Sequence, residues 1–222
     1  EAYRIGLVNK VVPAEELIEL GYREELRKKG IIRYFGGKVE FIYRGYLDGV
    51  DMAMMIHSGS LKEGKALNIN AGCNGCVTKN ILFKGVSAHA GGAPEKGVNA
   101  LYAATCGLNA VNAIRETFVD DEHIRFHPII TEAGLAVNAI PEAAKVESYV
   151  RGASYDSIYR YNKKVNLALA GAAASIGCRL ELNDRPGYFP LNNDPNMSDV
   201  VAAAMEAVAG PDSAERTDVW GT

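Results

Sequence analysis

Apolar and polar positions follow two periods along this chain, and each change of period marks an element. Asn80 to Ser87 carries the run Ile81-Leu82-Phe83 and then Val86, a strand pattern. Asn99 to Phe118 places Leu101, Ala104, Leu108, Val111 and Ala113 at helical spacing. Ser154 to Ile176 does the same with Ile158, Val165, Leu169 and Ala172, and Gly177 stops it. Two strands, Ile124–Thr131 and Ala144–Val150, lie between these helices, joined through a turn region at Gly134 to Pro141. Cys178–Leu182 alternates as a last strand. The order β-α-β-β-α-β predicts a ferredoxin-like unit: one antiparallel sheet with both helices on the same face.

The flanks follow another pattern. Arg4 to Val12 reads as a strand ended by Pro13, and Ala14 to Lys29 as a charged amphipathic helix capped by Gly30. Lys38 to Tyr43 alternates like a strand, and Met52 to Ile56 reads as a buried strand. Beyond the turn-rich Asn183–Gly187, Met197 to Val208 reads as a helix stopped by Gly210-Pro211, and no finishing element is evident. The chain therefore divides into 1–78, 79–184 and 185–222.

Composition narrows the class. With 222 residues, 48% hydrophobic and 23% charged, the chain can bury a sizeable core. A net charge of −3 argues against a general nucleic-acid or membrane-surface binder. No apolar run approaches the roughly 20 residues of a membrane span. No signal-peptide pattern is read, and the opening Glu1 points to a piece of a longer or processed protein. Cys73-Asn74-Gly75-Cys76 could be half a zinc site or a redox pair, but no second cysteine pair stands at suitable spacing. Reduced thiols in a cytoplasmic protein fit best.

Candidate chemistry concentrates in Gly85–Pro94. There His89 ends an apolar strand within glycines and alanines too small to crowd it, so its imidazole can meet a ligand. Glu15 and Glu16 are adjacent carboxylates at a helix start. They either cap that helix or divide the work of a metal centre, one binding the cation and one taking a proton from bound water. His57, after the Met52–Ile56 run, is placed for a metal or a substrate. His123 and His127 read as surface or core residues. Asn138 belongs to a turn by local preference. Arg151 ends a strand and is either solvated or available for bidentate capture of a carboxylate. His89, Asn138 and Arg151 are expected to face one cleft.

Together, Gly85–Pro94, Val137–Pro141 and Val150–Arg151 within a β-α-β-β-α-β unit resemble the lid or dimerisation domain of the dinuclear-zinc aminoacylase and glutamate-carboxypeptidase family. The branch resembled is that of the aminobenzoyl-glutamate and indole-acetyl-amino-acid hydrolases. Pro13–Glu16 resembles their P-A-E-E segment, and Asp51–His57 their strand ending in a metal-binding histidine. The resemblance implies part of an α/β catalytic domain over 1–78, an inserted ferredoxin-like lid over 79–184, and a return into the catalytic domain over 185–222. It implies hydrolysis of an amide bond in small N-acyl amino acids, two divalent ions (zinc or manganese) and a homodimer, with no nucleic-acid or membrane partner. By the same resemblance Glu15 is the general base, and Glu16 and His57 are metal ligands. His89 then stabilises an oxyanion, typically in the active site of the partner, and Asn138 and Arg151 hold the substrate. The pattern departs from the family in lacking the upstream Cys/Asp and His ligands before Glu15 and a last histidine before Thr222, which implies an inactive fragment. A non-catalytic dimerisation module is the alternative. Arg4–Leu17 also resembles a late segment of enoyl-CoA hydratases, in which Glu15 and Glu16 would be only helix-start acids.

Overall fold

The computed structural model describes residues 28–30, 33, 37–57 and 59–220. The expected strand Arg4–Val12, most of the helix Ala14–Lys29, and Glu15 and Glu16 lie outside them. The chain divides into two compact units, Glu1–Met54 and Met55–Thr222.

Two sequence expectations in the region up to His57 are corrected. Lys38–Tyr43 is helical, within α1 (Gly37–Tyr43). Glu40 accepts from the Arg44 side chain one turn later at 2.6 Å, and its carbonyl accepts from Arg44 N–H. That is the i,i+4 pairing of a helix, and it overrides a short apolar alternation. Met52–Ile56 forms no strand, and Met52, Met54 and Ile56 are 70%, 69% and 82% exposed. Among the described residues no strand pairs with this run. A strand without a ladder partner leaves its backbone groups and its apolar side chains in water. His57 therefore follows an irregular, exposed segment rather than the end of a strand.

In the second unit, β2 (Gly75–Lys84), β3 (Arg125–Phe126), β4 (Ile129–Glu132), β5 (Ala143–Gly152) and β6 (Arg179–Tyr188) form one antiparallel sheet. Its order is β3-β5-β2-β6, with β4 also on β5. Alternate residues of β5 are buried, and Val146 and Ala144 stand opposite Ile81 and Phe83 of β2. These four share a core with Ala103, Ala104 and Val111 of α2 (Ala100–Ile114) and with Ile158, Tyr161, Val165 and Leu169 of α3 (Tyr155–Ile176). Both helices thus cover the same face.

Local chemistry sets their ends. The Asn99 side chain accepts from Tyr102 N–H at the start of α2, and Ser154 from Ser157 N–H at the start of α3. Gly177 closes α3 in the left-handed conformation, φ +81°. The helices approach closely at Gly107, where a Cβ would lie 3.1 Å from both Leu169 Cδ2 and Phe83 Cζ.

Two further differences concern strand extent. The expected strand Ile124–Thr131 is split at His127-Pro128, because proline donates no hydrogen bond to a ladder. The expected turn Asn183–Gly187 is instead the second half of β6. That strand lies at the edge of the sheet, where Pro186 is tolerated. A register shift at Cys76/Val77 seats Gly187 so close to Cys76 that a Cβ there would stand 2.4 Å from its sulfur.

A second, three-stranded sheet has the order β7-β1-β8. It comprises β1 (Leu67–Cys73), β7 (Leu191–Asn192) and β8 (Ala214–Trp220), with β1 and β8 parallel. Its helix α4 (Pro195–Ala209) starts at Asp194, whose side chain accepts from Met197 N–H. The chain passes between the two sheets at Asn74 and again at Phe189-Pro190. A Cβ on Gly72 or Gly75 would collide with Leu191 O or Pro190. Asn74 is 2% exposed, and its side-chain oxygen has no hydrogen-bond partner among the described residues.

Candidate functional site

His89 stands where the chain has left β2. At Gly85 a Cβ would lie 1.9 Å from Val98 O, so only glycine lets the chain turn out beneath the returning segment. Val86 and Val98 then exchange both backbone hydrogen bonds at 2.9 Å. His89 forms a bridge with Ala139, Ala90 N–H donates to Asn138 O at 2.9 Å, and Ile140 N–H donates to Ala88 O. The His89 loop and the Asn138 turn are therefore one stitched structure. Ile140 packs where a Cβ on Gly97 would otherwise sit.

The His89 ring is oriented by its own loop. Gly92 N–H donates to Nδ1 at 2.9 Å and Gly91 N–H at 3.2 Å. A nitrogen that accepts cannot carry the proton of a neutral imidazole, so that proton sits on Nε2. His89 is exposed, so in this tautomer Nε2–H is left as a donor with no partner among the described residues. Asn138 is also exposed, and its amide has no hydrogen-bond partner among the described residues. No local signal in the sequence beyond the two glycines foretold the Nδ1 contacts.

Arg151 lies elsewhere. The His89–Asn138 pair adjoins the Lys84/Ala143 end of the sheet, since Gly85 N–H donates to Glu142 O. Arg151 stands at the other end of β5, eight residues on from Ala143, or about 26 Å along a strand. The three do not share one cleft within a single chain. Arg151 lies 5.1 Å from the Tyr149 ring, a cation–π contact, and stands opposite Cys76 on β2 and Arg125 on β3. Burial pushes the Cys76 thiol up, against the Tyr188 hydrogen bonds and the Arg151 charge.

On the helix-covered face of β2 lies a polar cluster that the sequence did not announce. The buried Lys79 ammonium donates to Asp184 Oδ1 at 2.6 Å, Asn162 Oδ1 at 2.8 Å and Asn166 Oδ1 at 2.5 Å. The amides of Asn162 and Asn166 donate to Asp184 Oδ2. Each of the three ammonium hydrogens has an acceptor, so nothing is left over for a ligand.

Among the described residues no group of three or more His, Cys, Asp or Glu side chains could hold a metal ion, and the four cysteines are free. His123 takes a left-handed conformation, and both it and His127 stand apart from the His89 loop in sequence and sheet position. No helix among the described residues is long and apolar enough to cross a membrane.

Residues 71–176 match the model of a peptidase dimerisation domain. This segment, just under half of the chain, carries the dimerisation domain found in amidohydrolases and peptidases to which the chain is similar. It is 32% identical over 155 residues to indole-3-acetyl-aspartic acid hydrolase of Enterobacter agglomerans, covering 66% of this chain and 33% of that protein. It is 27% identical over 147 residues to Xaa-Arg dipeptidase of Mus musculus, covering 66% of this chain and 32% of that protein. The crystal structure of an aminobenzoyl-glutamate utilization protein from Klebsiella pneumoniae superposes with a TM-score of 0.60 at 25% identity, over 80% of this chain and 45% of that one. The matched region spans about a third of the curated relatives' length. The dimerisation domain covers β2 to α3, and so includes His89, Asn138 and Arg151.

Proposed function

We propose that this chain is part of an enzyme that hydrolyses the amide bond of small N-acyl amino acids. In this reading 79–184 is a ferredoxin-like lid and dimerisation domain, and 1–78 and 185–222 belong to a catalytic domain in the cytoplasm. The observation that carries the proposal is the exposed His89 ring, held through Nδ1 by two backbone N–H groups, which leaves Nε2–H as its donor. Such a donor suits the oxygen of an amide carbonyl as it gains charge under attack, and it is already oriented before the reaction begins. Asn138, on the same stitched turn, supplies a second amide donor to the substrate.

The distance between the His89–Asn138 pair and Arg151 supports their use in two different sites of a homodimer. The pair reaches the partner's site, while Arg151 holds a substrate carboxylate in its own. Glu15 as general base, and Glu16 and His57 as ligands of a divalent ion, belong to the same reading. The described residues do not by themselves hold such an ion.

The test is steady-state kinetics on a panel of N-acyl amino acids with the complete protein. His89→Ala is expected to lower kcat by about 10²–10³ with a smaller change in KM. Arg151→Lys is expected chiefly to raise KM for substrates with a free carboxylate. Equal, small effects of the two would instead favour a dimerising module without chemistry of its own.

A further inference from the structure

Arg125 and Arg151 are directly opposed across β3 and β5. Residues paired in this way point to the same face of a sheet with Cα atoms about 4.5–5.5 Å apart, and two like charges so placed destabilise it. Their neighbours, Phe126 and Val150, are buried in the core, so both arginines stand on the opposite face. Among the described residues neither is paired with a carboxylate. Arg125 spends one N–H on the Ile124 carbonyl at 2.9 Å, and Arg151 rests on Tyr149. The remaining guanidinium donors of both are uncommitted to protein groups among the described residues. The nearest outward-facing carboxylate on β5 is Glu147, four residues from Arg151 and about 13 Å along the strand. A sheet that keeps two unneutralised arginines side by side gains stability when an anion with two negative groups bridges them.

We infer that Arg125 and Arg151 together form a dicarboxylate site, so that the amino acid carried by the substrate is an acidic one, its α-carboxylate on one guanidinium and its side-chain carboxylate on the other. This rests on the amidohydrolase reading for the role of Arg151, and it adds Arg125 as the residue that selects the side chain. A neutral amide in place of the second carboxylate would leave the Arg125 guanidinium as it is in the free protein. Selectivity for acid over amide should therefore reside in that one residue.

The test is a titration of the chain, ¹⁵N-labelled at arginine, followed by NMR of the side-chain Nε–H signals. The probes are N-acetyl-L-glutamate, N-acetyl-L-glutamine and inorganic phosphate. N-acetyl-L-glutamate is expected to bind about tenfold or more tightly than N-acetyl-L-glutamine and to shift both arginine signals. Arg125→Gln should bring the two ligands within about twofold of each other, whereas Arg151→Gln should weaken both. Equal binding of the two probes by the unmodified chain, binding of neither, or phosphate binding as tightly as the glutamate derivative would each overturn the inference. Hydrolysis of the N-acyl amino acid panel is scored separately. A protein that cleaves the panel without regard to acidic side chains keeps the amidohydrolase reading and loses this one. A protein that cleaves none of it loses the reading, while the titration still decides whether the arginine pair is a dicarboxylate site.

Discussion

Lys79 Nζ lies 2.6 Å from Asp184 Oδ1, with the lysine side chain wholly buried and the aspartate side chain 23% exposed. Burial pushes the Lys79 ammonium down, and the Asp184 hydrogen bond only partly restores it. Burial pushes the Asp184 carboxyl up, but the hydrogen bonds from Lys79, Asn162 and Asn166 outweigh it and hold it below the usual aspartate value. Removing one partner of such a pair leaves a buried charge uncompensated, at about 3–5 kcal/mol. Asp184→Asn is expected to cost this much because it strands Lys79. Lys79→Met should cost less, because Asp184 keeps two amide donors and some solvent. Urea denaturation of both variants checks the order.

The same pair sets a pH dependence. A carboxylate whose folded pKa is depressed contributes stability that is fully present above its unfolded value, about 3.9, and is lost as pH falls through the folded value. The stability gap between the unmodified protein and Asp184→Asn is therefore expected to be flat from pH 7 to about 5 and to narrow below about 4. Urea midpoints measured across that range decide it. A gap that stays constant to pH 2 would show that Asp184 does not titrate with folding.

At the His89 loop, a Cβ on Gly92 would stand 3.3 Å from Nδ1. Gly92→Ala is expected to press on the ring and lower kcat about tenfold, with stability changed by less than about 1 kcal/mol at this exposed loop. The ¹⁵N shifts of His89 in the unmodified protein should show Nδ1 unprotonated and Nε2 protonated at pH 8. The opposite tautomer would remove the basis for the Nε2–H donor.

Two helical glycines are expected to respond with opposite sign. A methyl group on Gly171 of α3 would meet nothing within 4 Å, so Gly171→Ala should stabilise by about 0.5–1 kcal/mol through helix propensity alone. Gly107→Ala gains the same propensity but presses on Phe83 and Leu169 in the core. Overpacking costs about 1–3 kcal/mol, so the net effect is a loss of about 1 kcal/mol. Thermal melts of the two variants separate these effects.

Dimerisation is expected through the outer edge of β4, where Ile129 and Ile130 are exposed, together with the exposed Tyr102 of α2. An edge strand with exposed apolar residues such as Ile129 and Ile130 invites pairing, and a lysine there blunts it. Ile129→Lys should shift the protein toward monomer in analytical ultracentrifugation. An unchanged sedimentation coefficient would place the interface elsewhere.

β2, β5 and the two helices between Asn80 and Leu182 were legible because each packs one face on a shared core, and that face imposes period 2 or 3.6 on the sequence. Of the missed strands β1 and β8, β8 lacks that imprint, whereas β1 carries a short period-2 alternation over Leu67–Ala71. β1 reads Leu-Asn-Ile-Asn-Ala-Gly-Cys, and β8 begins with Ala-Glu-Arg-Thr-Asp. Leu67 of one pairs with Ala214 of the other, a relation that no local window contains. β6 was cut short because Asp184, Pro186 and Gly187 look like a turn until Lys79 and Cys76 are seen beside them. At the site, the sequence picked out His89 and Asn138 by their small-residue loops, and the structure stitches them together. It could not place Arg151 at the far end of the strand, because distance along β5 becomes meaningful only once the register with β2 is known. Arg125 went unnoticed for the same reason: its significance comes from the residue opposite it.

The two crossings between the sheets run side by side. Cys76 pairs with Tyr188 in the larger sheet, and Cys73 pairs with Leu191 in the smaller. Seen from the smaller sheet, everything from Gly75 to Tyr188 is a single excursion whose ends return to adjacent places. The entropy of closing an excursion grows only slowly with its length, about 0.6 kcal/mol per doubling. The ladder of β7, β1 and β8 is thus nearly indifferent to the size and content of what is hung from it. A scaffold wired in this way can exchange its whole insert, and with it the residues offered to a neighbouring chain, while its own strand order stays the same.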